Sequence, residues 1–368
     1  MKMVELNNVA RFVNGYAFKP SDWVSDGLKI IRIQNLTDLE KTYNRTQKQV
    51  PDKYRITKGD ILVSWSATLD VFEWEDDEDA LLNQHIFKVE PKSNVVDKKY
   101  FKYVLRYSIE KMSQFTHGST MKHIVREDFL KHNIPLPPIE DQKRVVRILD
   151  QAGTLCQKRK QAIEFLDDYL KSVFLEMFGD PVKNPKGWDR IPLLEILLKI
   201  ESGHSPVCLD RPAVPGDWGV LKLGAITKCV YNPTENKALP DAEKPNPDIE
   251  IRAGDILFSR KNTYELVAAC AYVWETPSKL MMSDLIFRLV PRDKKLINSI
   301  FLHALLSFSS KRKMIQRLAG GAAGSMPNIS KAKLFAHKIE IPPLPLQNRF
   351  AAIVEKTQSL EQKVLCNF

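Results

Sequence analysis

Five segments from the first half of this chain recur in the second half in the same order, and this duplication constrains the fold more than any other feature. IIRIQNLT (30–37) is matched by VLKLGAIT (220–227), KGDILVS (58–64) by AGDILFS (253–259), and QHIFKVEP (84–91) by DLIFRLVP (284–291). GSTMKHIVREDF (118–129) is matched by GSMPNISKAKLF (324–335), and NIPLPPIEDQKR (133–144) by KIEIPPLPLQNR (338–349). The offset drifts from 190 through 195 and 200 to 206 and 205. Any single match is weak, since GDIL is an ordinary turn-strand signal, but five in order are hard to obtain by chance. At 368 residues the chain is long for one compact core, so two copies of one domain are expected.

Each copy carries short β-branched runs (LKIIRI, DILVSW and HIFKV; GVLKL, DILFS and LIFRLV) between Gly, Asp, Asn and Pro turns, the pattern of strands. A helical stretch with apolar residues every three or four positions follows, residues 98–115 in the first copy and 295–318 in the second. The expected unit is a mixed α/β (α+β) domain. A Pro-Pro step and a long helix come after each copy. Over residues 139–178 Val145, Leu149, Ala152, Cys156, Arg159, Ile163, Leu166, Leu170, Val173 and Met177 alternate steps of four and three, a coiled-coil seam broken only by Arg159. Pro138 suits the first turn of that helix, and FGDP (178–181) stops it. Such a rod is about 60 Å long and needs a partner. The copy from Leu344 places Phe350, Val354, Thr357 and Val364 in matching positions, but it ends at Phe368 and lacks a counterpart of residues 164–178. The expected division is 1–137, 138–178, 179–343 and 344–368.

The composition, 43% hydrophobic and 27% charged, is that of a folded soluble protein. No apolar run approaches the ~18 residues of a membrane span, and MKMVELNNVA lacks the apolar stretch of a signal peptide. A cytoplasmic location without membrane contact is expected. Five cysteines without a CxxC pair read as reduced thiols. The net charge of +10 is unevenly placed: +2 over 1–137, zero over 138–178, +7 over 179–343 and +1 over 344–368. A basic excess of this kind suits a polyanion.

The central segment IPLPPIEDQKRVVRILD, followed by QKRKQAIEFLDDYLKSVFLEMFGDPVKNPKGW, resembles the conserved central region of specificity subunits of Type I restriction-modification enzymes. The order domain, helix, domain, helix resembles that family across the whole chain. The resemblance implies a non-catalytic subunit with an internal pseudo-repeat, its two tandem target recognition domains joined by long coiled-coil helices that pack antiparallel. Each domain would read one half of a bipartite, asymmetric target in double-stranded DNA. The implied partners are two modification subunits and the restriction subunits. S-adenosylmethionine, ATP and Mg belong to those partners, and no cofactor to this chain. The short distal helix departs from the family pattern.

No catalytic motif offsets this reading. Pro51-Asp52, Pro240-Asp241 and Pro247-Asp248 are not followed by the (D/E)xK of a nuclease, and no (N/D)PP(Y/F) amino-methylation motif is present. LAGGAAGS (318–325) has neither the order nor the lysine of a phosphate loop, and His117, His123 and the His204/Cys208 pair lack a third ligand at metal-site spacing.

Base reading needs donors and acceptors on loops and strand ends, with cations nearby for phosphates. The first copy offers Asn14, Tyr16, Arg32, Gln34, Asn35, Ser64, Trp65, Ser66, Thr68, Ser119, Thr120, Lys122 and His123. The second offers Ser202, His204, Lys222, Ser259, Arg260, Lys261, Asn262, Thr263, Ser325, Met326 and Asn328. The loops after GDIL stand out because equivalent positions carry different polar residues, SWSAT against SRKNT. For any one residue, surface solvation or turn capping is the competing account. EWEDDED (73–79) reads as a solvated loop facing away from DNA, and Lys311, Arg312, Lys313 and Arg317 read equally as a phosphate clamp or a solvated helix face. The rival functions are a nuclease or fused methyltransferase, a subunit of a Type IIB-like restriction-modification enzyme, and a basic coiled-coil scaffold. The short distal helix predicts a bare stripe at Val145–Cys156, covered by self-association through the long helices or by modification-subunit helices.

Overall fold

The computed structural model describes residues 2–38, 40–66, 68–113, 124–321 and 326–366. Contacts divide the chain into two compact units, Met1–Gln157 and Lys158–Phe368, so the division falls within the long helix.

In the first unit an antiparallel sheet runs in the order Ala10–Asn14, Ile86–Pro91, Ile61–Ser64, Asp70–Glu73. A smaller sheet orders Asn44–Thr46, Leu28–Ile31, Ala80–Leu82 and Arg55–Ile56, its middle pair parallel. Met3–Glu5 pairs with Asn133–Pro135 and ties the N-terminal residues to the far end of the domain. The second unit repeats the plan. Its larger sheet is Leu197–Ser202, Ile286–Pro291, Ile256–Ser259, Cys270–Tyr272; its smaller one is Asn236–Ala238, Gly219–Leu221, Leu280–Met281; Asp189–Pro192 pairs with Lys338–Ile341.

The registers fix the repeat residue by residue. Ile30 lies opposite Leu81 as Val220 lies opposite Met281, and Ile61 opposite Val89 as Ile256 opposite Leu289. One sequence offset needs correction. The Ile124 amide donates to the Trp65 carbonyl and the Ile329 amide to the Arg260 carbonyl, so this segment repeats at 205 rather than 206.

The shared GD turn also has a physical reason. Asp60 accepts from the Thr57 amide and pairs with Lys88 at 2.8 Å; Asp255 accepts from the Arg252 amide and pairs with Arg288 at 3.0 Å. Each aspartate closes its turn and neutralises a cation on the neighbouring strand, which a buried charge requires.

The helix Lys98–Ser113 buries Tyr100, Phe101, Val104, Leu105 and Ile109 in the core. Its counterpart is two helices, Ser299–Ser307 and Ser309–Gln316, and not the single one expected over 295–318. Phe308 between them is extended, with ψ 131°, and its ring stacks on Phe174 of the long helix at 4.9 Å.

The long helix spans Ile139–Phe178 as expected, and the chain leaves it at Gly179, whose φ is +75°. At its start the buried Gln142 accepts from the Asp97 amide and donates to the Val95 and Pro137 carbonyls. Gln347, at the start of the distal helix Leu344–Cys366, makes the equivalent bonds to the Asn298 amide and the Leu296 and Pro342 carbonyls. One amide side chain thus satisfies three backbone groups at each Pro-Pro step.

The two helices run antiparallel within the second unit. Phe350 packs on Phe174 and Phe178, and the Glu361 carboxyl is pushed up by burial and then by Asp167. The seam residues from Arg159 to Met177 are half-buried, whereas Val145, Leu149, Ala152 and Cys156 are exposed. Among the described residues no helix is long and apolar enough to cross a membrane.

Candidate nucleic-acid interface

In the second unit the strand Ile256–Ser259 ends against two other segments. The Arg260 amide donates to the Leu285 carbonyl, the Arg260 carbonyl accepts from the Ile329 amide, Lys261 bridges to Asn328, and the Asn262 amide donates to the Pro327 carbonyl. The Arg260 guanidinium lies 4.9 Å from the Phe287 ring centroid, and its Nε donates to Asn328 Oδ1 at 3.2 Å. Lys331 Nζ is 5.6 Å from the same ring. Thr263 and Met326 are exposed beside this cluster.

The strand Leu197–Ser202 ends at the same place. Gly203 lies so close to the Met282 and Ser283 carbonyls that a Cβ would fall 2.1 Å from the former. The His204 amide donates to the Met282 carbonyl, with its side chain exposed, and the Ser205 hydroxyl bonds Asp284. Ser202, His204, Arg260, Lys261, Thr263, Met326 and Asn328 therefore share one end of the larger sheet.

The first unit builds the same end from other side chains. Gly15 sits against the Leu82 and Asn83 carbonyls as Gly203 does against 282–283, with Asn14 and Tyr16 on either side. Trp65 occupies the place of Arg260, its ring 5.7 Å from Phe87 and 5.8 Å from His85, and Arg126 lies over Phe87 at 6.0 Å. Ser66 and Thr68 follow it toward the surface. Tyr16 carries Lys48 over its ring and packs on Phe18 and Tyr54. Arg32 caps the helix Ile33–Thr37 with its guanidinium over Trp23 at 5.6 Å, and Gln34 is exposed on that helix. Lys222 holds the position equivalent to Arg32 and lies 3.5 Å from Glu235.

Four expected readers are not available at the surface. Ser64 and Ser259 are fully buried at the sheet end, Ser64 donating to the Ser66 carbonyl. Asn35 is buried, bonding the Arg32 amide and the Lys41 and Thr42 carbonyls, and Asn262 is buried, accepting from the Thr263 amide. Ser119, Thr120, Lys122, His123 and Ser325 lie outside the described residues. Phe87, Phe287, Arg126 and Lys331 were missed. They stand within the matched segments, but only the register shows that a ring on one strand supports a cation from another.

The charge pattern also differs from the sequence expectation. Residues 74–79 form a loop with Glu75 and Asp77 exposed, as expected, but Trp74 is buried and five of the carboxylates of residues 73–79 hold cations of the same unit. Asp76 and Glu78 bind Lys29, Glu78 also binds Arg45, Asp79 binds Arg55, Asp77 binds Lys58 and Glu73 binds Lys102. The Lys29 ammonium holds the Asp76 carboxyl down, and Arg45 followed by Lys29 does the same for Glu78. Five acids thus consume cations that a phosphate would otherwise meet. Lys311 is no phosphate clamp, being 1% exposed, bonded to the Lys338 carbonyl and paired with Glu340 at 2.7 Å. Burial pushes its pKa down. Arg260, Lys261 and Lys331 form no ion pair among the described residues, which leaves the sheet end of the second unit positive. Among the described residues, no group of three His, Cys, Asp or Glu side chains could hold a metal.

The chain is similar to known proteins over both repeats. A 235-residue segment, 63% of the chain, is 28% identical to the Type I restriction enzyme EcoEI specificity subunit of Escherichia coli, and the match spans 33% of that relative. The MjaX sequence of Methanocaldococcus jannaschii is 25% identical over 360 residues, 88% of this chain and 79% of that one. The fold is that of the Type I restriction-modification system S subunit from M. genitalium, with a TM-score of 0.56 at 13% identity, covering 99% of this chain and 90% of that one. The family model for the Type I restriction modification DNA specificity domain matches residues 1–165 and 215–365. Two matches in tandem cover most of the sequence, and the chain belongs to the Type I restriction modification DNA specificity domain family.

Proposed function

We propose that this chain is the non-catalytic, cytoplasmic DNA-reading subunit of a Type I restriction-modification complex. Each unit reads one half of a bipartite target in double-stranded DNA through the end of its larger sheet, and the long helices carry two modification subunits and, with them, the restriction subunits. S-adenosylmethionine, ATP and Mg are held by those partners. One observation carries the reading: the same sheet end is built twice at the same register but finished with different side chains, Trp65 in one unit and Arg260 in the other. One scaffold with two different contact sets is what an asymmetric target of two parts requires.

The test is reconstitution. The purified chain alone should neither methylate nor cut DNA, and adding its modification subunits should produce methylation at one bipartite sequence. Methyl transfer by the chain alone would overturn the assignment.

A further inference from the structure

An exposed arginine samples many rotamers, so one that reads a base gains from being held in advance. Arg260 is held at each part of its length. Its main chain is bonded on both sides, to the Leu285 carbonyl and the Ile329 amide. Its guanidinium carbon rests 4.9 Å from the Phe287 centroid, and its Nε is engaged by Asn328 Oδ1 at 3.2 Å. Asn328 is anchored in turn, its amide and carbonyl both bonded to Gly320. With Nε occupied and no carboxylate paired to the group among the described residues, the two Nη atoms remain as an end-on fork. That fork matches the O6 and N7 acceptors of guanine in the major groove.

The equivalent position in the first unit is Trp65, an indole over Phe87 with one donor and no fork. Lys331, 5.6 Å from the Phe287 ring, is a point charge suited to a phosphate beside the base.

We infer that Arg260 is the specificity-determining residue by which the second unit selects a G·C pair, that Asn328 is its positioning residue, and that the first unit has no such contact at the equivalent pair. The inference rests on the DNA-reading function proposed above. It is tested on the chain assembled with its modification subunits, after the methylated sequence has been determined. Binding is measured on single-base-pair variants of that sequence, at several salt concentrations, for Arg260→Ala, Arg260→Lys, Asn328→Ala and Asn328→Asp.

Arg260→Ala should weaken binding to the cognate sequence roughly 5- to 150-fold and flatten discrimination at one G·C pair of the half-site that follows residues 179–343. The salt slope should not change. Arg260→Lys keeps the charge but should lose the same discrimination. Asn328→Ala should lower discrimination at that pair, and Asn328→Asp, which pairs a carboxylate with the guanidinium, should lower it as well. Intact recognition of the other half-site shows that each variant is folded. A uniform loss on all sequences with the slope reduced by about one would make Arg260 a phosphate contact and overturn the inference. Relaxation at an A·T pair, or no change, would overturn it equally. A parent complex that discriminates no sequence would instead refute the DNA-reading function itself.

Discussion

Glu340 is buried between Lys311 at 2.7 Å and Arg190 at 3.0 Å, and beside them His337 is 7% exposed, with its Nε2 buried and without a partner among the described residues. Burial, and then the nearby Lys311 charge, lowers the His337 pKa from 6.5 to about 4. The folded state therefore prefers the neutral ring, while the unfolded chain takes up a proton near pH 6.5. This contribution is complete above pH 6.5 and is lost as the pH falls from 6.5 through 4, amounting to about 3 kcal/mol at most. Urea unfolding at pH 7.5 and pH 5 should show this loss, and His337→Leu should reduce it; an equal pH dependence in both proteins would show that the ring titrates normally. None of this was legible beforehand. Lys311 and Lys313 look alike in the sequence, and only the break at Phe308 turns one of them toward Glu340.

At the scale of elements, the long helix was legible to the residue because a seam of threes and fours, a leading proline and a trailing glycine all state the same limits. The glutamines were less so: Gln142 and Gln347 stand at matching places in the quoted segments, but an aligned glutamine does not declare that it satisfies three buried backbone groups. The exposed stripe of Val145, Ile148, Leu149 and Leu155 belongs to this scale too. These side chains are 37–57% exposed, so covering what remains of each is worth roughly 0.5–1.5 kcal/mol, and an assembled state that covers them all is favoured. The variant Val145→Lys/Leu149→Lys should lower either the oligomeric state or the binding of the modification subunit, as measured by light scattering and co-purification. If neither changes, the stripe is not an interface.

For the whole molecule, two units repeated at the same register make the proposed recognition modular. Exchanging residues 1–137 for the equivalent segment of a relative should change one half-site in the methylated sequence and leave the other and the spacing between them unaltered. If both half-sites change together, the units do not read separately.

The sequence by itself determined the duplication, the mixed α/β class and the long helix, since each rests on periodicity or local turn chemistry written along the chain. It also placed the loops after GDIL at the ends of those strands, because GDIL and its neighbours mark where the strands stop. Tertiary structure alone decided which residues there face outward. Ser64 and Ser259 precede Trp65 and Arg260 by one position and are buried for that reason, since successive side chains of a strand point to opposite faces. It also decided where charge is free. The acids of residues 73–79 are contiguous in sequence, but the cations they neutralise come from positions 29, 45, 55, 58 and 102, and that pairing exists only once the sheets have formed. Electrostatic partners are set by distance in space, and composition records only their sum.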